Sequence, residues 1–280
     1  MKRIATIGFF DGVHKGHRYL FKQLDRLAAE RGLEPFIVTF AHHPRAVLQS
    51  DYVPQLLTTA DERRALLSAY GEVLMLPFET IHTLTAAQFM EQLRTKYHVA
   101  VLLMGYDHRF GSDRLRHPQD YRRLGAQCGI EVLTMQEFVD GELHVSSTEI
   151  RMALEHGNIA VANELLGRPY SLRGTVVHGK GLGRTIGFPT ANIQPADPHQ
   201  IIPQPGVYAV EVHSYALPWT RAMLNIDTQR TIEVHIPSFD GNLYDQTMEV
   251  RFLRFVREER QMKSLDELQK QLMEDFASIS

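Results

Sequence analysis

With 280 residues the chain is long enough for two domains of ordinary size, and 44% hydrophobic against 22% charged residues describes a globular protein. A net charge of −3 gives no global attraction to nucleic acid or to an anionic membrane, and no apolar run approaches a membrane span. One cysteine, Cys128, excludes an intramolecular disulfide and a cysteine-rich zinc site; with no long apolar stretch after Met1, the cytoplasm is the expected compartment.

From residue 1 to about 165 the pattern alternates. Strands are expected at Ile4–Ile7, Pro35–Phe40, Val73–Leu76, Val99–Met104 and Glu131–Met135, with helices over His17–Arg31, Ala60–Tyr70, Ala86–Lys96 and Gln119–Cys128. Strands rich in Val, Ile and Leu, joined by helical crossovers, imply a parallel sheet covered on both faces. A further helix pattern, Met152–Leu166, ends at Gly167-Arg168-Pro169, which places the domain boundary at 168. Beyond it glycine and proline become dense. Short runs at Gly174–Val177, Gly206–Val212, Thr231–Ile236 and Met248–Phe255 read as strands of a small antiparallel β-barrel. A last helix is expected from a capping box, Ser264 with Glu267, to about Ala277.

Three segments fall at the carboxyl ends of the first-half strands, where parallel sheets bind ligands: Gly8–His17, Thr39–Arg45 and Gly105–Gly111. In Gly8-Phe9-Phe10-Asp11-Gly12-Val13-His14-Lys15-Gly16-His17 a strand gives way to a glycine-bearing turn and then a helix. Backbone N–H groups at such a helix start can face a phosphate. His14 and His17, three apart, share one side of the first turn, and their ring N–H groups can donate to phosphate oxygens. The same pair would also serve as a plain helix cap.

The second half carries its own glycine-rich loop, His178-Gly179-Lys180-Gly181-Leu182-Gly183-Arg184-Thr185-Ile186-Gly187, neither a Walker A nor a Rossmann fingerprint. Its amides and the charges of Lys180 and Arg184 suit an anion. In the following Phe188-Pro189-Thr190-Ala191-Asn192, the hydroxyl of Thr190 and the amide of Asn192 lie two apart in an extended segment. They therefore share a side, and both offer the neutral oxygens that Mg²⁺ accepts when phosphates supply the charge.

The H-x-G-H spacing resembles that of the Rossmann-like nucleotidyltransferases. Both halves together resemble the bifunctional bacterial riboflavin kinase/FMN adenylyltransferase (FAD synthetase) family over nearly the whole chain. The N-terminal matches are Gly8–His17, Thr39-Phe40-Ala41-His42-His43-Pro44, Gly105-Tyr106-Asp107-His108-Arg109-Phe110-Gly111 and Ser146–Arg151. The C-terminal matches are Gly183–Asn192, Pro205–Ala209, Ile232–His235, Phe239–Tyr244 and Arg257-Glu258-Glu259.

The resemblance implies a Rossmann-like nucleotidyltransferase domain over 1–168 and a flavokinase-like antiparallel barrel with a C-terminal helix over 169–280. The first would transfer AMP from ATP to FMN, giving FAD and pyrophosphate. His14 and His17 would be catalytic, with Gly8, Phe9, Asp11, Gly12 and Gly16 around the ATP phosphates. Ser146, Ser147, Thr148 and Arg151 would clamp phosphate too. Asp107 and Arg109 would bind nucleotide or flavin, with His42 and His43 as loop polar groups nearby. The second domain would phosphorylate riboflavin, with Glu233 as catalytic carboxylate and Thr190 and Asn192 on Mg²⁺ with ATP. There Gly179, Lys180, Gly181, Gly183 and Arg184 would cover the phosphates, and Arg257 would bind nucleotide or flavin. The expected partners are these small molecules, with neither nucleic acid nor membrane among them.

One departure from the family pattern bears on the kinase half. The Gly and the Pro-Thr hairpin expected after Asn-Ile are absent, so Asn225-Ile226-Asp227 runs to Glu233 through a connection several residues short. Next to Tyr244, Asp245 stands where the family has a glycine, and after Arg257-Glu258-Glu259, Met262 stands where it has an aromatic residue. This leaves two other expectations open: an FMN adenylyltransferase with an impaired kinase domain, or a non-catalytic flavin or nucleotide sensor.

Overall fold

The computed structural model describes residues 1–136, 138–140, 143–179, 187–237, 239–260 and 265–279. Among these residues the chain forms two compact units, one of Met1–Pro54 and Ala60–Ser146, the other of Gln55–Thr59 and Ser147–Ser280.

The first unit is a parallel sheet of β1 (Arg3–Ile7), β2 (Glu34–Phe40), β3 (Glu72–Leu76), β4 (Val99–Met104) and β5 (Glu131–Thr134) in the order β3-β2-β1-β4-β5. The strand order reverses beside β1, so its carboxyl end opens at the switch point of the sheet. Both faces are covered. Helix α1 (Lys15–Arg31) lays Leu20, Phe21, Leu24 and Ala28 on Ile4, Ile37, Val101 and Leu103, joined by Leu67 of α3 (Ala60–Leu67). On the other face α4 (Ala86–Tyr97) and α5 (Pro118–Cys128) bring Phe89, Met90, Leu93 and Tyr121 against Ala5, Ile7, Phe36 and Val38. A short helix that the sequence pattern did not suggest, α2 (Pro44–Leu48), follows β2; Pro44 stands at its start and the His43 ring caps it. A two-stranded ribbon of β6 (Val139–Asp140) and β7 (Leu143–His144) ends the unit.

The compact units divide at Ser146/Ser147, earlier than the boundary at 168 read from the Gly-Arg-Pro stop. The helical stretch before that stop belongs to the second unit because its contacts go to the barrel: the Asn163 side chain donates to Phe252 O (2.9 Å) and accepts from Tyr170 N–H (2.7 Å). That stretch is also two helices rather than one. Helix α6 (Ser147–Glu155) ends before Gly157 at φ 66°, and Asn158 caps α7 (Ile159–Leu166).

The barrel is closed and antiparallel in the order β10-β11-β12-β9-β8-β13, with β13 returning to β10. Its strands are β8 (Tyr170–Val177), β9 (Thr190–Pro195), β10 (Gly206–Ser214), β11 (Leu217–Ile226), β12 (Ile232–His235) and β13 (Thr247–Arg257). Alternation fills the inside with Leu172, Val176, Ile193, Leu224, Val234 and Val250 and turns the intervening residues outward. The sequence pattern gave no strand at β11, where polar residues interrupt the apolar period until closure pairs both edges. The final helix, α8 (Leu265–Ile279), packs Leu272 and Phe276 on Val207, Ala209, Met223 and Val256. Ser264, its expected cap, lies outside the described residues. No helix among the described residues is long and apolar enough to cross a membrane.

Candidate functional site

In the first unit the H-x-G-H segment is held by backbone strain and by aromatic packing. Past β1, Gly8 N–H donates to Val38 O (3.1 Å), continuing the parallel ladder. A side chain on Gly8 would meet the Phe10 ring at 2.6 Å and force it to move. Phe10, Gly12 and Val13 then take φ of 56°, 76° and 44°. For a β-branched residue such as Val13 this region is strained by about 1–3 kcal/mol, strain of the kind that folds retain at functional turns.

The turn delivers His14, 6% exposed, as N-cap of α1: its Nδ1 accepts the backbone N–H of His17 at 3.3 Å. An Nδ1 that accepts leaves the ring proton on Nε2 in the neutral tautomer, which makes Nε2–H the donor. The His17 ring stacks on His14 at 3.6 Å and 18°, with the edge of Phe10 at 5.3 Å. Burial, reinforced by His14, holds His17 well below the ordinary histidine range, so it stays neutral. Gly16 leaves room for the stack; a Cβ there would press on the His14 ring at 3.3 Å.

Nothing in the sequence marks out Arg63 of α3, whose charge sits in the run Asp61-Glu62-Arg63-Arg64. It is fully buried, donates to Phe40 O (2.7 Å), and lies 4.1 Å over the ring of Phe9, whose carbonyl accepts from Thr39 Oγ1 (3.1 Å). It thereby ties the loops after β1 and β2 together. His43 joins them from above, with its ring 4.8 Å from Phe9. His42 turns outward instead, to Glu79 (2.9 Å).

After β4, Asp107 and Arg109 are exposed. The Arg109 guanidinium donates to Asp107 O (3.0 Å) and Arg116 O (3.3 Å), so it shapes its own loop. Between them, burial presses His108 down to about 4 against the opposing pull of Asp107. A histidine held low folds in its neutral form, so stability is complete above the unfolded value near 6.5 and falls as pH drops from there towards 4. This contributes up to about 3 kcal/mol. Denaturant titrations between pH 7 and 4.5 should show the loss, and His108→Phe should flatten it; an unchanged slope would remove His108 as its source.

Of the predicted phosphate clamp, Ser146 ends the first unit, while Ser147, Thr148 and Arg151 stand on α6 in the second. There Arg151 Nε donates to Gln55 O (2.6 Å).

In the barrel, Glu233 faces outward from β12, between Ile232 and Val234, which point into the core. The register sets Asn225 of β11 on one side of it and Asn192 of β9 on the other, and pairs Thr190 with His235. Glu233, Asn192, Asp227 and Thr231 line one open cavity of about 380 Å³ with His178 and Gly179. A Cβ on Gly179 would meet the Asn192 amide at 2.0 Å, which explains glycine at that position. Gly179→Ala should displace Asn192 and slow any phosphoryl transfer at this cavity at least about tenfold. The other half of the chain should be unaffected, and a wild-type rate in this variant would remove the cavity as a site of transfer.

The shortened connection forms a pinned turn. Asp227 Oδ1 accepts from Gln229 N–H and Thr231 N–H (both 2.8 Å), and Arg230 takes a left-handed φ of 66°, as three-residue hairpin loops require. Arg230 Nη1 donates to Ile202 O (3.0 Å) and Pro203 O (2.7 Å), and Glu259 accepts from Thr228 N–H (3.2 Å).

Arg257 is engaged elsewhere. Its fork grips Asp275 of α8 at 2.6–3.0 Å, so in this structure it anchors the helix to the barrel rather than facing the cavity. Lys180, Gly181, Gly183 and Arg184 lie outside the described residues. Among the described residues no cluster of three or more His, Cys, Asp or Glu is arranged to hold a metal. Thr190 and Asn192 instead offer uncharged oxygens. That donor set fits Mg²⁺ arriving with nucleotide phosphates and does not fit a resident ion.

The FAD synthetase family model matches residues 1–149 and the riboflavin kinase family model residues 166–280. A bifunctional riboflavin kinase/FMN adenylyltransferase of Escherichia coli (strain K12) is 36% identical, over 97% of this chain and 90% of that protein. One of Pseudomonas fluorescens is 35% identical, over 98% and 91%. A solved structure from Streptococcus pneumoniae, described as a macrolide-efflux protein, superposes with a TM-score of 0.89 at 32% identity, covering 99% of this chain and 93% of its own. With both halves matched in order and across nearly its full length, the chain belongs to the bifunctional riboflavin kinase/FMN adenylyltransferase family.

Proposed function

We propose that the protein makes FAD in two steps, phosphorylating riboflavin in the barrel unit and adenylylating FMN in the parallel-sheet unit. The observation that carries the first step is Glu233, seated between Asn192 and Asn225 on the wall of a cavity. The pinned Asp227–Thr231 turn supports a competent kinase half over an impaired one, since the shortening leaves Glu233 in register.

In the barrel, Glu233 takes the proton of the terminal ribityl hydroxyl as its oxygen attacks the γ-phosphorus of ATP, and ADP leaves. Thr190 and Asn192 would hold the Mg²⁺ that neutralises the phosphates. Gly179, with Lys180, Gly181, Gly183 and Arg184, would follow the phosphate chain.

In the parallel-sheet unit the nucleophile is the FMN phosphate, already ionised, so no base is needed. Its oxygen attacks the α-phosphorus of ATP and pyrophosphate leaves. His14, proton on Nε2, and the neutral His17 stabilise the charge that develops on the departing phosphates, beside the turn from Gly8 to Gly16. Asp107 and Arg109 would meet nucleotide or flavin. The phosphate roles of Ser146, Ser147, Thr148 and Arg151 are supported by the family resemblance alone. An ATP-dependent enzyme with a single, unbridged cysteine fits the cytoplasm.

Chromatography of the flavins formed from riboflavin, ATP and Mg²⁺ tests the reading. FMN followed by FAD is the expected course. Unchanged riboflavin, with FMN still converted, would reduce the protein to an adenylyltransferase; flavin bound without any product would make it a sensor.

A further inference from the structure

Two residues beyond Glu233 on the same outward face of β12 stands His235, which the family reading leaves without a part. Its Nδ1 lies 2.9 Å from Pro189 O. A carbonyl only accepts, so Nδ1 carries the proton and the tautomer is fixed. The ring meets Phe188 at 4.9 Å and, edge to face, Phe276 of α8 at 6.4 Å. Phe276 is held in turn, because Asp275 beside it receives the Arg257 fork and Gln271 Nε2 (3.0 Å). The clamped imidazole thus grips the peptide that leads into Thr190, the residue directly opposite it in the ladder, and Asn192 follows two residues later, opposite Glu233.

We propose that His235 is a positioning residue for the nucleotide side of the kinase site: braced by the C-terminal helix, it holds the Pro189 carbonyl and thereby sets the start of β9, which presents Thr190 and Asn192. The proposal rests on the kinase reading above. It assigns α8 a part in nucleotide affinity, exerted through one hydrogen bond and one ring contact. Pro189 has a fixed φ, so holding its carbonyl fixes the whole peptide plane before Thr190. His235 acts through the Pro189 carbonyl, so its loss should register in nucleotide affinity more than in turnover.

The test uses the full chain. His235→Phe keeps a ring between Phe188 and Phe276 but removes the donor. His235→Asn places an amide N–H close to the position of Nδ1, whereas His235→Gln places its donor one bond farther out. In riboflavin phosphorylation, H235F and H235Q should raise KM for ATP about three- to tenfold, the worth of one net hydrogen bond, with kcat changed less than twofold. H235N should recover most of the loss, and FAD formation from FMN should be unchanged in all three. Wild-type KM in H235F, or H235N as impaired as H235F, would overturn the proposal. A wild-type chain that forms no FMN from riboflavin would overturn the kinase reading instead. ADP binding, followed calorimetrically in a His14→Ala background that weakens the N-terminal phosphate site, still judges His235 in that case: H235F must weaken it and H235N restore it.

Discussion

His14→Ala should lower FAD formation from FMN by about 10²- to 10³-fold while FMN formation from riboflavin continues at the wild-type rate. The magnitude follows from removing one preorganised donor aimed at developing phosphate charge. The His14 ring is held on four counts: it caps α1 through Nδ1, stacks on His17, is almost fully buried, and leaves a strained turn at Val13. A donor so placed needs no reorganisation as pyrophosphate departs, and alanine would replace it with water. The cap is lost too, at a cost of about 1 kcal/mol of stability. His14→Asn, which can cap but offers no ring N–H at the Nε2 position, separates the two effects. It should melt near wild type and remain as inactive as the alanine variant. Full activity in His14→Asn would reassign His14 to helix capping alone, the plain alternative that its spacing always allowed.

Glu233→Gln should lower riboflavin phosphorylation by about 10²- to 10⁴-fold, with FMN adenylylation intact. An alcohol near neutral pH is a poor nucleophile until a base receives its proton, and glutamine keeps the shape of the carboxylate without its basicity. The two neighbouring strands present amides, Asn225 and Asn192, so the substitution leaves the hydrogen-bonding surface of the wall largely in place. Stability should therefore change little. The two variants together make a complementary pair: mixed in one tube with riboflavin and ATP, His14→Ala and Glu233→Gln should form FAD jointly by passing FMN through solution. Failure of the mixture, with each variant active in its own half-reaction, would mean that FMN does not exchange between chains.

Much of the architecture was legible as pattern. The β1 to β5 positions, the covering helices and the strong 3.6-residue faces of α1 and α4 follow from burying apolar residues at regular intervals, and the structure places them within a few residues of expectation. Helix α1 starts at Lys15, two residues before the expected start at His17, because the His14 cap decides the start rather than the first buried leucine, Leu20. The Met152–Leu166 stretch reads as one helix by period alone, yet Gly157 and Asn158 divide it, a stop and a start in adjacent residues. Strand β9 was visible only as an extended segment, since its outward residues are the polar groups of the site.

The candidate site divides in the same way. His14 with His17, and Thr190 with Asn192, are singled out by short spacing and Glu233 by the family resemblance alone, whereas the sequence by itself determined the alternation that makes one half a parallel sheet and the other a barrel. Arg63, His235, Asn225, Asp227 and Asp275 matter through partners distant along the chain: Arg63 through Phe9 and Phe40, His235 through Pro189 and Phe276, Asp275 through Arg257. The sequence likewise offered Arg257 as a ligand-binding cation, and only the tertiary structure decided that its charge is met by Asp275 on the last helix. Hydrophobic period and turn chemistry are local and survive in one dimension; which cation meets which carboxylate depends on long-range closure, and that is settled only when the barrel brings β13 and α8 together.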